Sequence, residues 1–249
     1  MSLRSCLALC VAMLLPLAAQ ADLTSYSQNF ENFPDPAGAT ALSDNGWLVG
    51  ANVFDSSGGF LYNYFAFPAP NGGPAFSAVA SGAAGPAQGT YYMNTYNDYN
   101  NGDHSNGSNN VIEANIFREM GLIGAGDLNS VWNFDFQFAV GDPGPAQDAF
   151  AFVKVLKTSD SSFATLYNET FDTAGATTTW VDGQLSLNID DASWIGETVQ
   201  IGFVNTASNF SGSGVYYDNL NFASAVPEPS SALIVGFAAV GIAMRRRRK

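Results

Sequence analysis

The sequence predicts an all-β protein in which two antiparallel sheets pack face to face as a sandwich. Apolar and polar residues alternate with a period of two through residues 22–223, as expected for strands with one buried face. Clusters of Gly, Asn, Asp and Ser separate the alternating segments, and no amphipathic helix of useful length is visible. About a dozen short strands in roughly 200 residues are typical of a single sandwich domain.

The clearest predicted strand covers residues 131–138. Its large apolar side chains all fall on one face, and they are Trp132, Phe134, Phe136 and Phe138. Residues 184–189 and 198–205 show the same alternation. Residues 150–157 are more continuously apolar, which favours a strand in the interior of a sheet.

The other predicted strands are shorter or less regular. They are residues 26–33, 46–54, 60–67, 76–80, 89–96, 110–117, 163–167, 177–181 and 215–222. Residues 115–122 are the one segment that could instead form a turn or two of helix.

The first 21 residues are predicted to be a secretory signal peptide. Arg4 precedes an apolar segment at residues 7–18, and Ala19 and Ala21 fit the small-x-small pattern of a cleavage site. The mature chain is therefore expected to begin at Asp22, after the Sec translocon and signal peptidase have acted on it.

Both cysteines of the chain, Cys6 and Cys10, lie inside this predicted signal. The mature domain would therefore contain no disulfide and no reactive thiol. Its stability must come from packing or from a bound ion.

The charge of the region between the two ends is strongly negative. Residues 22–225 contain 21 acidic residues and only three basic ones, Arg118, Lys154 and Lys157, which gives a net charge of −18. Such a surface argues against nucleic acid as a partner.

The C-terminal segment, residues 224–249, has three parts in order. Val226, Pro227, Glu228 and Pro229 form a rigid, extended tetrapeptide, residues 232–244 are an uninterrupted apolar run, and residues 245–249 are all basic. A helix over residues 232–244 would be about 20 Å long, so flanking residues must help it to cross a membrane. The basic end is expected to stay on the cytoplasmic side.

This order of elements resembles the PEP-CTERM sorting signal. The resemblance implies an exported protein of an exopolysaccharide-producing Gram-negative bacterium, anchored transiently in the inner membrane by residues 232–244. An exosortase, which is a membrane cysteine protease, would then cleave near the Pro-Glu-Pro motif and leave the protein at the cell surface or in the extracellular matrix. Pro227, Glu228 and Pro229 would be read by that enzyme.

Short stretches of the central region carry a second resemblance. Asn-Phe-Glu-Asn-Phe stands at residues 29–33, Ile-Phe-Arg-Glu at 116–119, and Tyr-Tyr-Asp-Asn-Leu-Asn-Phe at 216–222. In layout, residues 26–222 resemble jelly-roll domains of the galactose-binding-like and carbohydrate-binding-module type. The resemblance implies a structural Ca²⁺ that joins the first and last strands, with Glu31 and Asp218 as side-chain ligands and backbone carbonyls near Asn29.

Asp218 also stands out without the resemblance. Strict alternation places it on the same strand face as Tyr216, Leu220 and Phe222, where a carboxylate is unfavourable unless it is paired or coordinated. Cations are scarce in this region, so the two alternatives are a hard metal ion and hydrogen bonds from backbone amides.

Several tyrosines are candidates for contact with a glycan. Tyr91, Tyr92, Tyr96 and Tyr99 precede or begin a polar loop at residues 97–110, and exposed rings beside amide side chains suit sugar binding. Tyrosine is also an ordinary strand residue. The loop itself, with the single histidine His104, fits either ordinary turns or a metal loop whose spacing differs from an EF-hand.

Signatures of an enzyme are largely missing from the mature chain. It has no cysteine nucleophile, no serine-hydrolase context for its histidine and no phosphate-binding loop before a helix. Asp135 and Glu113 could face the same sheet surface as a pair of carboxylates. We therefore expect a non-enzymatic surface or matrix protein that binds extracellular polysaccharide. The alternatives are a secreted glycoside-active enzyme and a structural matrix component without a specific ligand.

Overall fold

The structure, a computed structural model, describes residues 23–72, 76–97, 110–141, 144–145, 147–208 and 212–225. The predicted signal peptide with Ala19, Ala21 and Asp22, the loop tyrosine Tyr99 with most of its loop, and the sorting segment with Pro227, Glu228 and Pro229 lie outside these residues. In the described part of the chain, no helix has the length and hydropathy needed to cross a membrane.

Twelve strands form in the described residues. They are β1 (Tyr26–Gln28), β2 (Trp47–Phe54), β3 (Phe60–Pro68), β4 (Ser77–Ser81), β5 (Tyr91–Asn97), β6 (Val111–Leu122), β7 (Ser130–Val140), β8 (Ala149–Lys157), β9 (Ala164–Asp172), β10 (Val181–Ile189), β11 (Thr198–Ser208) and β12 (Ser213–Ser224). The helical content of the same residues is two short 3-10 turns, Ser43–Asn45 and Ala192–Trp194.

The strands form two antiparallel sheets of six strands each. The first sheet has the order β10-β7-β12-β5-β4, with β1 added beside β12, and the second has the order β3-β2-β6-β11-β8-β9. From β5 to β8 and from β10 to β12 the chain crosses between the sheets at every step, which is a jelly-roll arrangement. The predicted all-β, two-sheet sandwich is thus confirmed.

The core lies between the sheets and is rich in aromatic rings. Phe203 of β11 is at its centre, and its ring centroid lies 3.7 Å from Tyr217, 5.8 Å from Phe134, 6.0 Å from Phe136 and 6.2 Å from Trp47. All five side chains are at most 1% exposed. The alternation predicted for residues 131–138 holds, since its four large apolar side chains all point into this core.

Four local predictions differ from the structure. Residues 115–122 belong to β6, because β2 and β11 pair with both of its edges and its inward side chains enter the core. Residues 177–180 form a connection, and of the predicted strand 177–181 only Val181 belongs to a strand, as the first residue of β10. β1 ends at Gln28, since Phe30 turns its backbone to a φ of 58° and inserts its ring into the core. β12 continues to Ser224, past the predicted domain end at residue 223.

A complete sandwich is contained within residues 23–225. The first and last strands are neighbours, with Tyr26 opposite Phe222, and the Ala225 backbone N–H donates to the Val131 carbonyl at 2.7 Å. Because every strand and the whole core fall within these limits, a chain of residues 22–225 includes all elements that the fold requires.

Candidate functional site

The outer surface of the first sheet carries a continuous group of amide and carboxylate side chains. β7 and β10 turn their apolar residues inward, so the residues between them face outward. The neighbouring strand β12 contributes Asn219 and Asn221, which lie beside Gln137 and Asp135 of β7. We call this surface the amide face, and its residues are Asn133, Asp135, Gln137, Asp182, Gln184, Ser186, Asn219 and Asn221.

Gln137 is the central hydrogen-bonding residue of the amide face. Its Oε1 accepts from Gln88 Nε2 at 2.5 Å and from Asn219 Nδ2 at 2.7 Å. Its Nε2 donates to Asp182 Oδ1 at 2.8 Å. Since both ends of the Gln137 amide are engaged, its orientation is fixed by three elements at once: β10, β12 and the loop before β5.

Asp135 is held in a similar way. Gln184 Nε2 donates to its Oδ1 at 2.5 Å, and Asn221 Nδ2 donates to its Oδ2 at 3.3 Å. An open cavity of about 390 Å³ lies between these groups, lined by Asp135, Gln137, Asp182, Gln184 and Asn219 together with Phe136 and Gly183. The side chains around it are therefore oriented before any ligand arrives.

An aromatic cluster borders the amide face. Trp180 stacks on Tyr216 at 6.5 Å between centroids and meets Tyr92 edge-on at 5.6 Å. The loop before β5 holds the cluster in place, because Trp180 Nε1 donates to the Ala83 carbonyl at 3.1 Å and the Ala83 N–H donates to the Tyr92 hydroxyl at 3.0 Å. Trp180 remains half-buried, so part of its ring is accessible.

The tyrosines predicted to contact a glycan do not form one exposed platform. Tyr91 is half-buried and packs against the core, while Tyr92 faces outward but is fully buried under the aromatic cluster. Tyr96 is half-buried, and Tyr99 is not among the described residues. Strand alternation sends Tyr91 and Tyr92 to opposite faces. Trp180 and Tyr216, which the sequence reasoning did not select, are the aromatic residues beside the amide face.

Asp218 is fully buried, as its sequence context indicated, but not on the predicted face. A bulge adds one residue to β12, so that Asp218 lies opposite Gln137 while Asn221, not Leu220, lies opposite Asp135. Asn219 takes a left-handed φ of 49° at this bulge. Asp218 therefore shares its face with Tyr216 under the loop before β5, and Leu220 and Phe222 point into the core.

Glu31 and Asp218 are close enough to interact electrostatically, with Glu31 in the loop after β1. Glu31 Oε1 accepts from the backbone N–H groups of Thr90 and Tyr91 at 2.6 and 2.5 Å. This carboxylate lies directly over Gly89, where an added Cβ would come within 2.7 Å of Glu31 Cδ. Glycine is required at this position both for that approach and for a φ of +64°.

The ionised form of Asp218 is unfavourable in this structure. Burial, with a smaller contribution from the charge of Glu31, raises the pKa of Asp218 to about 7, against the lowering effect of the Asn219 N–H. That N–H donates to Oδ1 at 2.6 Å. Oδ2 is buried and has no hydrogen-bond partner in the described part of the chain.

These contacts allow a test of the predicted Ca²⁺ ligands. Backbone amides bind Glu31 Oε1, whereas the Asp218 Oδ2 atom is buried without a donor in the described residues, and such an oxygen can take up either a proton or a hard cation. The described residues contain no group of three His, Cys, Asp or Glu side chains suited to a metal. Ca²⁺ ligation by Glu31 and Asp218 therefore stays a prediction, and the buried Asp218 Oδ2 atom is the observation that supports it.

Asp135 and Glu113 do not form the carboxylate pair that sequence reasoning considered. Asp135 is on β7 of the first sheet, while Glu113 is on β6 of the second sheet, where Asn52 Nδ2 donates to it at 3.0 Å. Each faces outward from its own sheet. The sandwich core separates them, so they cannot act on one substrate.

Comparison with known proteins assigns the C-terminal segment. Residues 225–248 match the PEP-CTERM protein-sorting motif, which confirms the resemblance drawn from Pro227, Glu228 and Pro229. The motif implies an exported protein that is anchored in the membrane before an exosortase processes it. No curated protein sequence matches the chain.

Solved structures similar to this chain include several β-sandwiches. The "Family 16 Carbohydrate Binding Module-2" is 13% identical with a TM-score of 0.40, over 59% of this chain and 85% of that chain. A cyclase from Fischerella sp. TAU is 13% identical with a TM-score of 0.44, over 83% and 98%. A structure of promiscuous carbohydrate-binding modules of the β-sandwich superfamily is 10% identical with a TM-score of 0.43, over 79% and 60%.

Proposed function

We propose that this exported protein binds a neutral polysaccharide on the amide face and has no catalytic activity of its own. The observation that carries the proposal is the hydrogen-bonded set around Gln137 and Asp135, with the accessible part of Trp180 beside it. Fixed amide and carboxylate groups suit the hydroxyls of a sugar, and an aromatic ring suits its C–H face.

The charges of the domain support a neutral ligand. Arg118 lies in β6, and Lys154 and Lys157 lie in β8, so all three basic residues of the domain belong to the second sheet. The amide face contributes Asp135 and Asp182 and no cation. A uronic acid or a sulfated sugar would meet like charge there without a compensating partner.

A glycan array tests the proposal directly. The domain of residues 22–225 should bind neutral glycans and fail to bind glycans rich in uronate or sulfate. Hydrolysis of a bound glycan would favour the alternative of a glycoside-active enzyme. The absence of binding to every glycan would favour a structural matrix component.

Trp180→Ala should weaken binding of the selected glycan by about tenfold, because the loss of one stacking ring costs about 1–1.5 kcal/mol. Trp194→Ala is the matched control, since Trp194 is also half-buried but packs on Tyr167 away from the amide face. Isothermal titration gives both affinities. Equal losses in the two variants would contradict a role for Trp180 in binding.

Processing at both ends is part of the proposed route to the cell surface. We expect signal peptidase to release a chain that begins at Asp22, and an exosortase to remove the basic end near Pro227, Glu228 and Pro229. The intact mass of the surface-exposed protein measures both events. A mass that still includes residues 245–249 would contradict the C-terminal step.

We also infer a structural Ca²⁺ held by Glu31 and Asp218. The buried Asp218 Oδ2 atom supports this inference, because it has no donor in the described part of the chain. When bound, the ion supplies the positive charge that these two carboxylates lack. It would fasten the loop after β1 to the last strand, at the border of the amide face.

A further inference from the structure

A second cavity adjoins the one over Asp135 and Gln137. It also has a volume of about 390 Å³, and it lies over β12, β1 and the loop after β1. Its lining includes Ser27 and five amide side chains, which are Gln28, Asn29, Asn32, Asn219 and Asn221. Asn219 lines both cavities, so the second cavity continues the first across β12.

Strand pairing places four outward side chains in one row across this sheet. Gln184 of β10 is opposite Asp135 of β7. Asp135 is opposite Asn221 of β12, which in turn is opposite Ser27 of β1. Directly opposite residues of paired strands point to the same face. Neighbouring strands are about 4.8 Å apart, so this transverse row of four residues is about 14 Å long.

The polar groups over β12 and β1 differ from those over β10 and β7. Around Asp135 and Gln137, the amide groups bind one another and are fixed. In the second cavity, Asn32 is exposed, and its side chain makes no hydrogen bond within the described residues. Asn219 uses its Nδ2 for Gln137 and for the Ala87 carbonyl, which leaves its Oδ1 for a ligand. The second cavity therefore offers hydrogen-bond donors and acceptors.

We propose that the two cavities are consecutive subsites for one linear, neutral polysaccharide chain, which lies across the strands along the transverse row. This inference rests on the proposed function of the amide face, and it adds the length and the direction of the ligand. A row of about 14 Å is longer than one sugar ring, so a single sugar cannot fill both cavities. Neighbouring sugars of one chain would therefore be bound at the same time.

The chemistry of the second cavity favours sugars over a peptide or a charged polymer. A sugar hydroxyl both donates and accepts hydrogen bonds, and an amide side chain offers groups of both kinds. None of the side chains that line this cavity is charged. Leu220 is the apolar residue of the lining, and it is buried, so the lining presents no exposed apolar group to a protein partner.

Two adjoining subsites make the affinity depend on the length of the chain. A single sugar occupies one cavity and gains nothing from the other. A longer chain reaches the second cavity without the entropic cost of binding a second molecule. The affinity should therefore rise with chain length and level off once the chain extends beyond the transverse row.

A length series of oligosaccharides tests the proposal. Neutral glucan, mannan and xylan are hydrolysed and separated into fractions of one to six sugars, and isothermal titration gives the affinity of the 22–225 domain for each fraction. In the series that binds, the affinity should rise by at least about tenfold between one sugar and four sugars, and it should change little between five and six.

Asn32→Ala separates the two subsites. Because Asn32 is exposed, the substitution should not alter the melting temperature. It should lower the affinity for long oligosaccharides by about fivefold and leave the affinity for one sugar unchanged. The matched control is Asn168→Ala, at an exposed asparagine of β9 in the other sheet, which should change neither affinity. Gln184→Ala, in the first cavity, should weaken binding at every length.

Ser27→Phe gives a second test, because its ring would fill the second cavity. In this variant, long oligosaccharides should bind no better than single sugars. An affinity that does not depend on chain length would overturn the proposal but leave glycan binding on the amide face. A length dependence that persists unchanged in both Asn32→Ala and Ser27→Phe would do the same. Absence of binding by every fraction and every glycan of the array would overturn the proposed function as well.

Discussion

Without calcium, the Asp218→Asn domain should melt at a higher temperature than the unchanged domain at about pH 7.5. Burial and the nearby Glu31 raise the pKa of Asp218 to about 7, so folding favours its protonated form. Ionisation then opposes folding. The substitution removes this charge and should raise stability by about 2 kcal/mol, or about 4–8 °C for a domain of this size.

The dependence of the domain's stability on pH shows whether ionisation of Asp218 stabilises or destabilises the folded state. In the unfolded chain Asp218 has an ordinary, lower pKa, so between about pH 4 and pH 7 the folded state holds more protons. The stability that the protonated group contributes is complete below pH 4 and is lost as the pH rises through 7. Scanning calorimetry in the presence of a chelator measures this. The melting temperatures of the unchanged domain and of Asp218→Asn should be similar near pH 4, and the difference between them should grow as the pH rises.

In the presence of calcium, the unchanged domain should melt at a higher temperature than Asp218→Asn. An ion that binds only the folded state stabilises it by about 2.7 kcal/mol at a hundredfold excess over its dissociation constant. The unchanged domain should gain this stability, and Asp218→Asn should not. Asp103→Ala serves as the control, since Asp103 belongs to the polar loop that the sequence left as an alternative metal site. A gain that depends on Asp103, or no gain at all, would remove Asp218 as a ligand.

Phe203→Ala should destabilise the domain by about 4 kcal/mol, a large part of the stability of a typical domain. The ring contacts four other aromatic side chains from both sheets, and it is fully buried, so its removal leaves a cavity that the core cannot fill. Urea denaturation measures the effect. The urea concentration at the midpoint should fall, while the dependence of the free energy of unfolding on urea should stay the same.

The control for this prediction is Phe163→Ala. Phe163 is 60% exposed, so the same change in side chain should alter stability by about 0.5 kcal/mol or less. A loss below about 1.5 kcal/mol for Phe203→Ala would mean that the core collapses around the missing ring. The core rings around Phe203 would then be less important to the stability of the sandwich than their contacts indicate.

The sequence patterns predicted the sheets better than the site. Alternation located β7 and its four inward rings, and the resemblance placed the first strand beside the last. Alternation failed at Asp218, because the bulge at Asn219 adds one residue and exchanges the two faces beyond it. The periodicity of the sequence does not reveal such an insertion. The Asp-Asn pair inside the strand is compatible with it, because Asp and Asn tolerate the left-handed backbone conformation.

The amide face was missed for a different reason. Gln137 and Asp182 are ordinary outward residues of two strands, and Gln88 reaches Gln137 from a glycine-rich loop that strand patterns do not position. Trp180 lies in a segment predicted as a strand, while the structure places it in the connection before β10. Which outward residues meet is decided by the order of strands in the sheet, and local sequence carries little information on that order.

The position of β12 has a consequence for the timing of folding during export. β12 is the last strand to be synthesised, yet it lies inside the first sheet, between β7 and β5. Without residues 213–224, the β10–β7 pair, the β5–β4 pair and β1 are not joined to one another, so the first sheet cannot form as a unit. We therefore expect the sandwich to close only once residues 213–224 have been exported, immediately before the sorting motif at residues 225–248.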